Sequence, residues 1–268
     1  MALTAEGREL TEAHRRAQLA LSAEAAAEAM ALWDGLDPDN LDASTPRWLA
    51  RNMQTLRRYN GRSVATAAAY VPRYRVAELG ADIGSVVAPA FIAAEMSQAL
   101  LLAGPVRVKL LTHGGMTGTT AHSEGLRKFT GIMRRQVLSG GRQLIDETTA
   151  SDSQAIGWRR VSDGNPCTFC AMLCSRGPVY RSATQAGTDG GGLLDNKSGL
   201  RFHGHCGCTA EIVYGSWEPN EQERGFQADY EKAAQEANAA GFSRTESSVL
   251  PRMRANGAFR DSPLARNK

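Results

Sequence analysis

Cys167-Thr-Phe-Cys170 and Phe202-His203-Gly-His205-Cys206-Gly-Cys208 place four thiols and two imidazoles in two short clusters of a 268-residue chain. Two cysteines with two residues between them make a knuckle, in which one tight turn aims both sulfurs at a single point. The preceding Gly164-Asn165-Pro166 suits that turn. Sulfur together with imidazole is a soft donor set that selects zinc over magnesium or calcium. A tetrahedral ion takes four ligands, so the six side chains compete. In an extended chain His203 and His205 share one face and Cys206 and Cys208 the other, so a mixed set needs a turn, which Gly204 and Gly207 permit. The spacing His203-x-x-Cys206 closes a loop around one ion. That ranks Cys167, Cys170, His203 and Cys206 first, with Cys208 in place of Cys206 a close second.

The fifth cysteine, Cys174, sits between Leu173 and Ser175 and fits an apolar core position better than a nucleophile. His14, His113 and His122 stand alone and read as surface or packing residues. The chain contains no His-Glu-x-x-His, no Gly-x-Ser-x-Gly and no Asp-Thr/Ser-Gly run, so no catalytic residue is assigned. Four protein ligands would leave the zinc no open position for an activated water, which makes a structural ion the expectation.

The elements that must position these residues are mostly helices. Hydrophobic residues make up 42% of the chain and aromatic ones 6%, with alanine recurring in the apolar runs, which points to helices packed through small side chains. Leu19, Ala23, Ala26, Met30 and Trp33 predict a long helix over residues 4–34 with a narrow apolar seam suited to a partner helix. Thr45-Pro46 and Gly61 bracket a second helix, and a third runs from Ser63 toward Leu79, bent or split at Pro72. Residues 83–103 read as a buried helix ending at Gly104-Pro105, and 106–112 as a short strand or a helix start. Leu126, Phe129, Met133 and Val137 mark a helix ended by Gly140-Gly141, followed by another over 142–156. Strands are expected at 158–162, at 178–182 and within 201–214, with a flexible linker at Gly187–Gly192 and a last helix between Pro219 and Gly241.

The expected fold class is therefore α+β and mainly α-helical. A helical assembly or docking region spans 1–157, a small β-containing zinc module 158–216, a C-terminal helix 217–242 and a basic flexible tail 243–268. The tail carries Arg244, Arg252, Arg254, Arg260, Arg266 and Lys268 against Glu246 and Asp261, and it could meet packaged DNA. The most apolar run is interrupted by Ser85, Pro89, Glu95, Ser97 and Gln98, so no membrane span is expected. The N-terminus has no basic region followed by an apolar stretch. With an odd number of cysteines, this fits folding in a reducing cytoplasm, with metal ligation favoured over disulfides.

Gly157-Trp158-x-x-Val161-x-Asp163, Cys167-x-Phe-Cys170-Ala-Met-Leu, Ser175-Arg-Gly-Pro-Val-Tyr180 and Phe202-His-Gly-His-Cys-Gly-Cys-Thr-Ala210 together resemble the Mu F-like minor head proteins of tailed phages. The group concerned is the actinobacteriophage one often labelled capsid maturation proteases. The resemblance implies a virion or procapsid component, made in the host cytoplasm, acting in head assembly or DNA packaging at the capsid interior or portal vertex. Its implied partners are the portal and the major capsid protein. Two positions depart from the family pattern: Gly207 stands where a basic residue is usual, and Cys174 where a small residue often follows Met-Leu.

Overall fold

The computed structural model describes residues 2–178 and 202–263. Three long helices make the frame: α1 (Ala5–Ala31), α2 (Leu41–Leu79) and α5 (Gly118–Ser151) pack against one another. Thr4 caps α1 by accepting the Gly7 N–H at 2.9 Å, and Glu78 near the end of α2 accepts from the Leu3 and Thr4 backbone and from the Thr4 hydroxyl. The helix termini are thereby tied to each other.

The face that α1 buries matches the expected seam only in part: Ala26, and Trp33 just beyond the helix, are buried and Leu19 is half-buried. Thr11, His14, Gln18, Leu21, Ser22, Ala25 and Ala29 point inward, whereas Met30 is 53% exposed and Ala23 also faces solvent. Polar side chains are tolerated there because they find partners: Gln18 donates to Ser63 O and accepts from Ser63 Oγ, and Thr11 bonds the Tyr70 hydroxyl. Ordinary packing within the chain consumes this face.

Residues expected as two helices around Gly61 form the single helix α2. Thr45, expected as an N-cap, sits inside it and bonds back to Leu41 O, and Pro72 does not interrupt it. The helix stops at Gly80, whose φ of 68° suits glycine. Gly140-Gly141 likewise does not end α5. A Cβ at Gly140 would lie 2.7 Å from Val64 Cγ2 and 3.0 Å from Asn60 O, so glycine there lets α5 press against α2.

Only Ala93–Ala103 (α3) of the expected buried helix is helical. Residues 81–92 are irregular, broken by Gly84 in a left-handed conformation and by Pro89, and Val87 is 80% exposed. Residues 106–112 belong to a helix, α4 (Pro105–His113), with Pro105 in its first turn.

After α5 come β1 (Gly157–Val161), α6 (Thr168–Cys174), β2 (Thr209–Val213), α7 (Glu221–Ala239) and α8 (Glu246–Asn256). The strands pair antiparallel, with Gly157 opposite Val213 and Val161 opposite Thr209. Arg159 faces Glu211 across the pair at 2.6 Å and also binds Glu223, the capping-box residue of α7, so one buried guanidinium joins both strands to that helix. The expected strand 178–182 and the linker 187–192 lie outside the described residues, apart from Pro178. Much of the expected tail is ordered structure: α8 packs on α7, and Val249, Met253 and Phe259 enter one hydrophobic cluster with Tyr70, Trp158, Cys170 and Ile212. A second cluster centres on Trp33, Trp48 and Phe129, whose rings lie within 4.8–5.8 Å of each other.

Candidate metal centre

β1 delivers the chain into a turn in which Asp163 Oδ1 accepts the Asn165 N–H and Gly164 takes a φ of 91°. Cys167 then caps α6, its Sγ accepting the Cys170 N–H at 3.4 Å, which sets the two sulfurs on one side of the knuckle. From the other side, His203 brings Nε2 to 2.7 Å from Cys167 Sγ and 3.5 Å from Cys170 Sγ. Its Nδ1 donates to Gly204 O at 2.7 Å, which leaves Nε2 as the basic nitrogen facing the sulfurs.

Cys206 Sγ lies 3.2 Å from Cys170 Sγ. Cys167, Cys170 and His203 form one compact set of donors, and Cys170, Cys206 and Cys208 a second, with Cys170 common to both. All five cysteines are buried and none is in a disulfide. Around one tetrahedral ion with metal–sulfur bonds of about 2.3 Å the sulfurs would stand ~3.8 Å apart, so Cys170 and Cys206 would separate by about half an ångström. Cys206 does not belong to the set of Cys167, Cys170 and His203, so a Cys-Cys-His-Cys site also requires the two sets to draw together.

The reversal between His203 and Cys206 comes at His205, whose φ is 64°, and not at a glycine. Its backbone N–H donates to Gly131 O, and its Nε2 bonds Arg127 O at 2.9 Å, so the ring faces α5 and stays out of both donor sets. Gly131 makes room for it: a Cβ there would meet the imidazole at 2.6 Å. Gly207 is equally constrained, since a Cβ would lie 2.6 Å from Leu19 Cδ2 and 2.7 Å from Asp163 Oδ2, so a basic side chain has no space at this position.

The electrostatics favour thiolates at Cys167 and Cys208, whereas hydrogen bonds with the neighbouring thiols, together with burial, push Cys170 up. Arg142, deeply buried, donates to Cys206 O at 2.9 Å and to Cys208 O at 2.6 and 3.0 Å, and the Phe202 ring lies between the Arg142 and Arg160 guanidiniums, 3.7 Å from each. Burial pushes Arg142 down to about 10, opposed by the charge of Cys206 beside it. The hydrogen bond from Cys170 pulls the Cys167 thiol down to about 5 against burial, with His203 contributing further. Cys208 is held well below the usual thiol range by hydrogen bonds from Cys170, Cys174 and Cys206 and then by Arg160. Cys174 is fully buried beside Cys208, and burial with that contact pushes its thiol up.

A shell of contacts holds the two knuckles together. Asp163 Oδ2 accepts the Gly207 N–H, Arg260 donates from its backbone to Pro166 O and from Nη1 to His205 O, and Asp261 binds Thr168. Asp163 and Gly207 belong to the motif resemblance, but the roles of the others carry no signal in the sequence. Arg142 follows a glycine pair that reads as a break, and Arg260 and Asp261 lie in a stretch that reads as a tail.

His14 stacks on Tyr70 in the core at a ring distance of 4.4 Å, and His122 Nδ1 accepts from the Trp33 indole N–H at 3.2 Å. His113 closes α4. No helix of the described residues is long and apolar enough to cross a membrane.

Fold and site together define a mainly helical protein with a small two-stranded sheet and a buried Cys/His cluster able to bind a metal. The chain belongs to the VG15 protein family, whose model matches residues 6–233, from α1 through most of α7. It is similar to the "Gene 15 protein" of Mycobacterium phage D29, with 32% identity over 114 residues that cover 41% of this chain and 40% of that protein. These matches make it a member of a phage protein family. No solved structure matches the chain.

Proposed function

We propose that this protein is a minor head protein of a tailed phage, Mu F-like in kind, which acts in capsid assembly or DNA packaging and carries a structural zinc. The ligands are Cys167, Cys170, His203 and Cys206, with Cys208 the alternative to Cys206. The observation that carries the zinc reading is the burial of the donors: Cys170 and Cys206 are 1% exposed and Cys208 fully covered, which suits an ion that fastens two knuckles better than one that serves a substrate. The phage family membership and the motif resemblance support the head assignment. The protein sits at the capsid interior or portal vertex, with the portal or the major capsid protein as partner. Because α1 packs against α2 and α5, docking uses other surfaces than its apolar face.

Two experiments test this. Mass spectrometry of purified heads detects the protein as a minor component, and a phage lacking it makes heads defective in assembly or packaging; normal heads without it contradict the assignment. Incubated with its coat protein, the purified chain leaves that protein intact. Defined cleavage would replace the proposal with a capsid maturation protease.

A further inference from the structure

We infer that the solvent face of α2 binds the sugar-phosphate backbone of duplex DNA without reading its sequence. Between Asp42 and Glu78 this helix contains no acidic residue and seven arginines. At about 100° per residue, Arg47, Arg51, Arg58, Arg62 and Arg73 fall within an arc of about 80°. All five are exposed. Glu28 and Glu24 of α1 engage Arg58 and Arg62, whereas Arg47, Arg51 and Arg73 make no ion pair among the described residues. Arg57, at the edge of this face, lies over Phe91.

The chemistry of the face selects the partner. Its cations are guanidiniums, which bind phosphate oxygens in a planar, bidentate manner. The other exposed positions between them include Ala50, Gln54, Ala65 and Ala69, so among fully exposed residues from Arg47 to Arg73 there is no aromatic or large apolar anchor on which a protein partner would be centred; Trp48, Tyr59 and Tyr70 are buried. The stripe from Arg47 to Arg73 is ~39 Å long at 1.5 Å per residue, a little over one turn of duplex. The C-terminal stretch is a poorer candidate for this role. Arg244 pairs with Glu231, Arg252 donates to Ser248 O, Arg254 pairs with Asp261 and Arg260 holds His205 O. The inference goes beyond the head-protein proposal, which stands or falls on the content of assembled heads.

The test is equilibrium binding of the full chain to a labelled duplex of about 30 base pairs and arbitrary sequence, between about 50 and 200 mM salt. Binding that weakens steeply with salt is expected. Replacing Arg47→Gln, Arg51→Gln and Arg73→Gln together should weaken it at least tenfold and reduce the log–log salt slope by about 2 to 3, since each phosphate contact contributes ~0.9. The corresponding triple lysine variant should keep most of the slope. Thermal stability and metal content should be unchanged in both variants, because none of the three side chains is buried. Absence of salt-sensitive binding by the wild type, or unchanged binding by the glutamine variant, overturns the inference. So does displacement of the duplex by poly-glutamate as effectively as by unlabelled DNA, which would make the face an acidic-protein site.

Discussion

Asp261 accepts hydrogen bonds from both the backbone N–H and the hydroxyl of Thr168, at 2.7 and 2.8 Å, so a residue near the C-terminal end of the described chain holds the first turn of the helix that carries Cys170. Arg254 anchors the same carboxylate at 2.9 Å. Those contacts hold the Asp261 pKa below the ordinary carboxylate range despite partial burial. Asp261→Ala should cost about 1–2 kcal/mol, the scale of losing a charged helix-capping interaction. Urea denaturation of the two proteins measures it, and equal midpoints would show that the contact contributes nothing.

The buried Arg159 should matter more. Its side chain serves Glu211 and Glu223 at once, and all three are almost fully covered. Arg159→Met leaves two carboxylates buried without their cation, which should destabilise the protein by about 3–5 kcal/mol. A loss below about 1 kcal/mol in chemical denaturation would mean that the pair is solvated in solution.

His14 should make stability depend on pH. Burial holds its pKa at about 4, below the ordinary histidine value of 6.5, because the ring stacks on Tyr70 where an imidazolium cannot be solvated. The folded state therefore keeps His14 neutral while the unfolded state takes up a proton. Stability from this group is fully present above pH 6.5 and falls as pH drops toward 4, by about 3 kcal/mol in total. His14→Gln should flatten that part of the stability profile relative to the wild type. An identical pH dependence in the two proteins would contradict the assignment.

How much of this was legible in the sequence follows from the range over which each feature is determined. The knuckles are legible because their spacing is local: Cys167 and Cys170 share a turn, and His203 and Cys206 another, and in the structure these residues enter two donor sets that share Cys170. His205 and Cys208 were harder to place, since His205 turns to Arg127 O through a left-handed backbone that no glycine advertises. Gly61, Pro72 and Gly140 suggest helix boundaries, yet α2 and α5 run through them. Propensity there yields to packing, and Gly140 serves close approach of α2 to α5. The apolar pattern of α1 finds Ala26 and Trp33 but not the rest of its buried face, which uses His14, Gln18 and Thr11, polar residues that only tertiary partners make acceptable. Arg142, Arg160 and Arg260 carry no local signal at all.

Cysteine substitutions should separate ligands from core. Cys170→Ser removes a donor common to both sets and should abolish metal retention and lower stability by several kcal/mol, since binding energy of the ion is folding energy. Cys174→Ser places a hydroxyl in a covered position next to Cys208 and should cost about 1–2 kcal/mol while metal is retained. Loss of metal from both variants alike would bring Cys174 into the ligand set.

Elemental analysis of the full chain, purified with reducing agent and without chelator, tests the central claim most directly. The account predicts about one zinc ion per folded chain, held by thiolates and one imidazole. A folded protein containing no zinc and no other transition metal would contradict it.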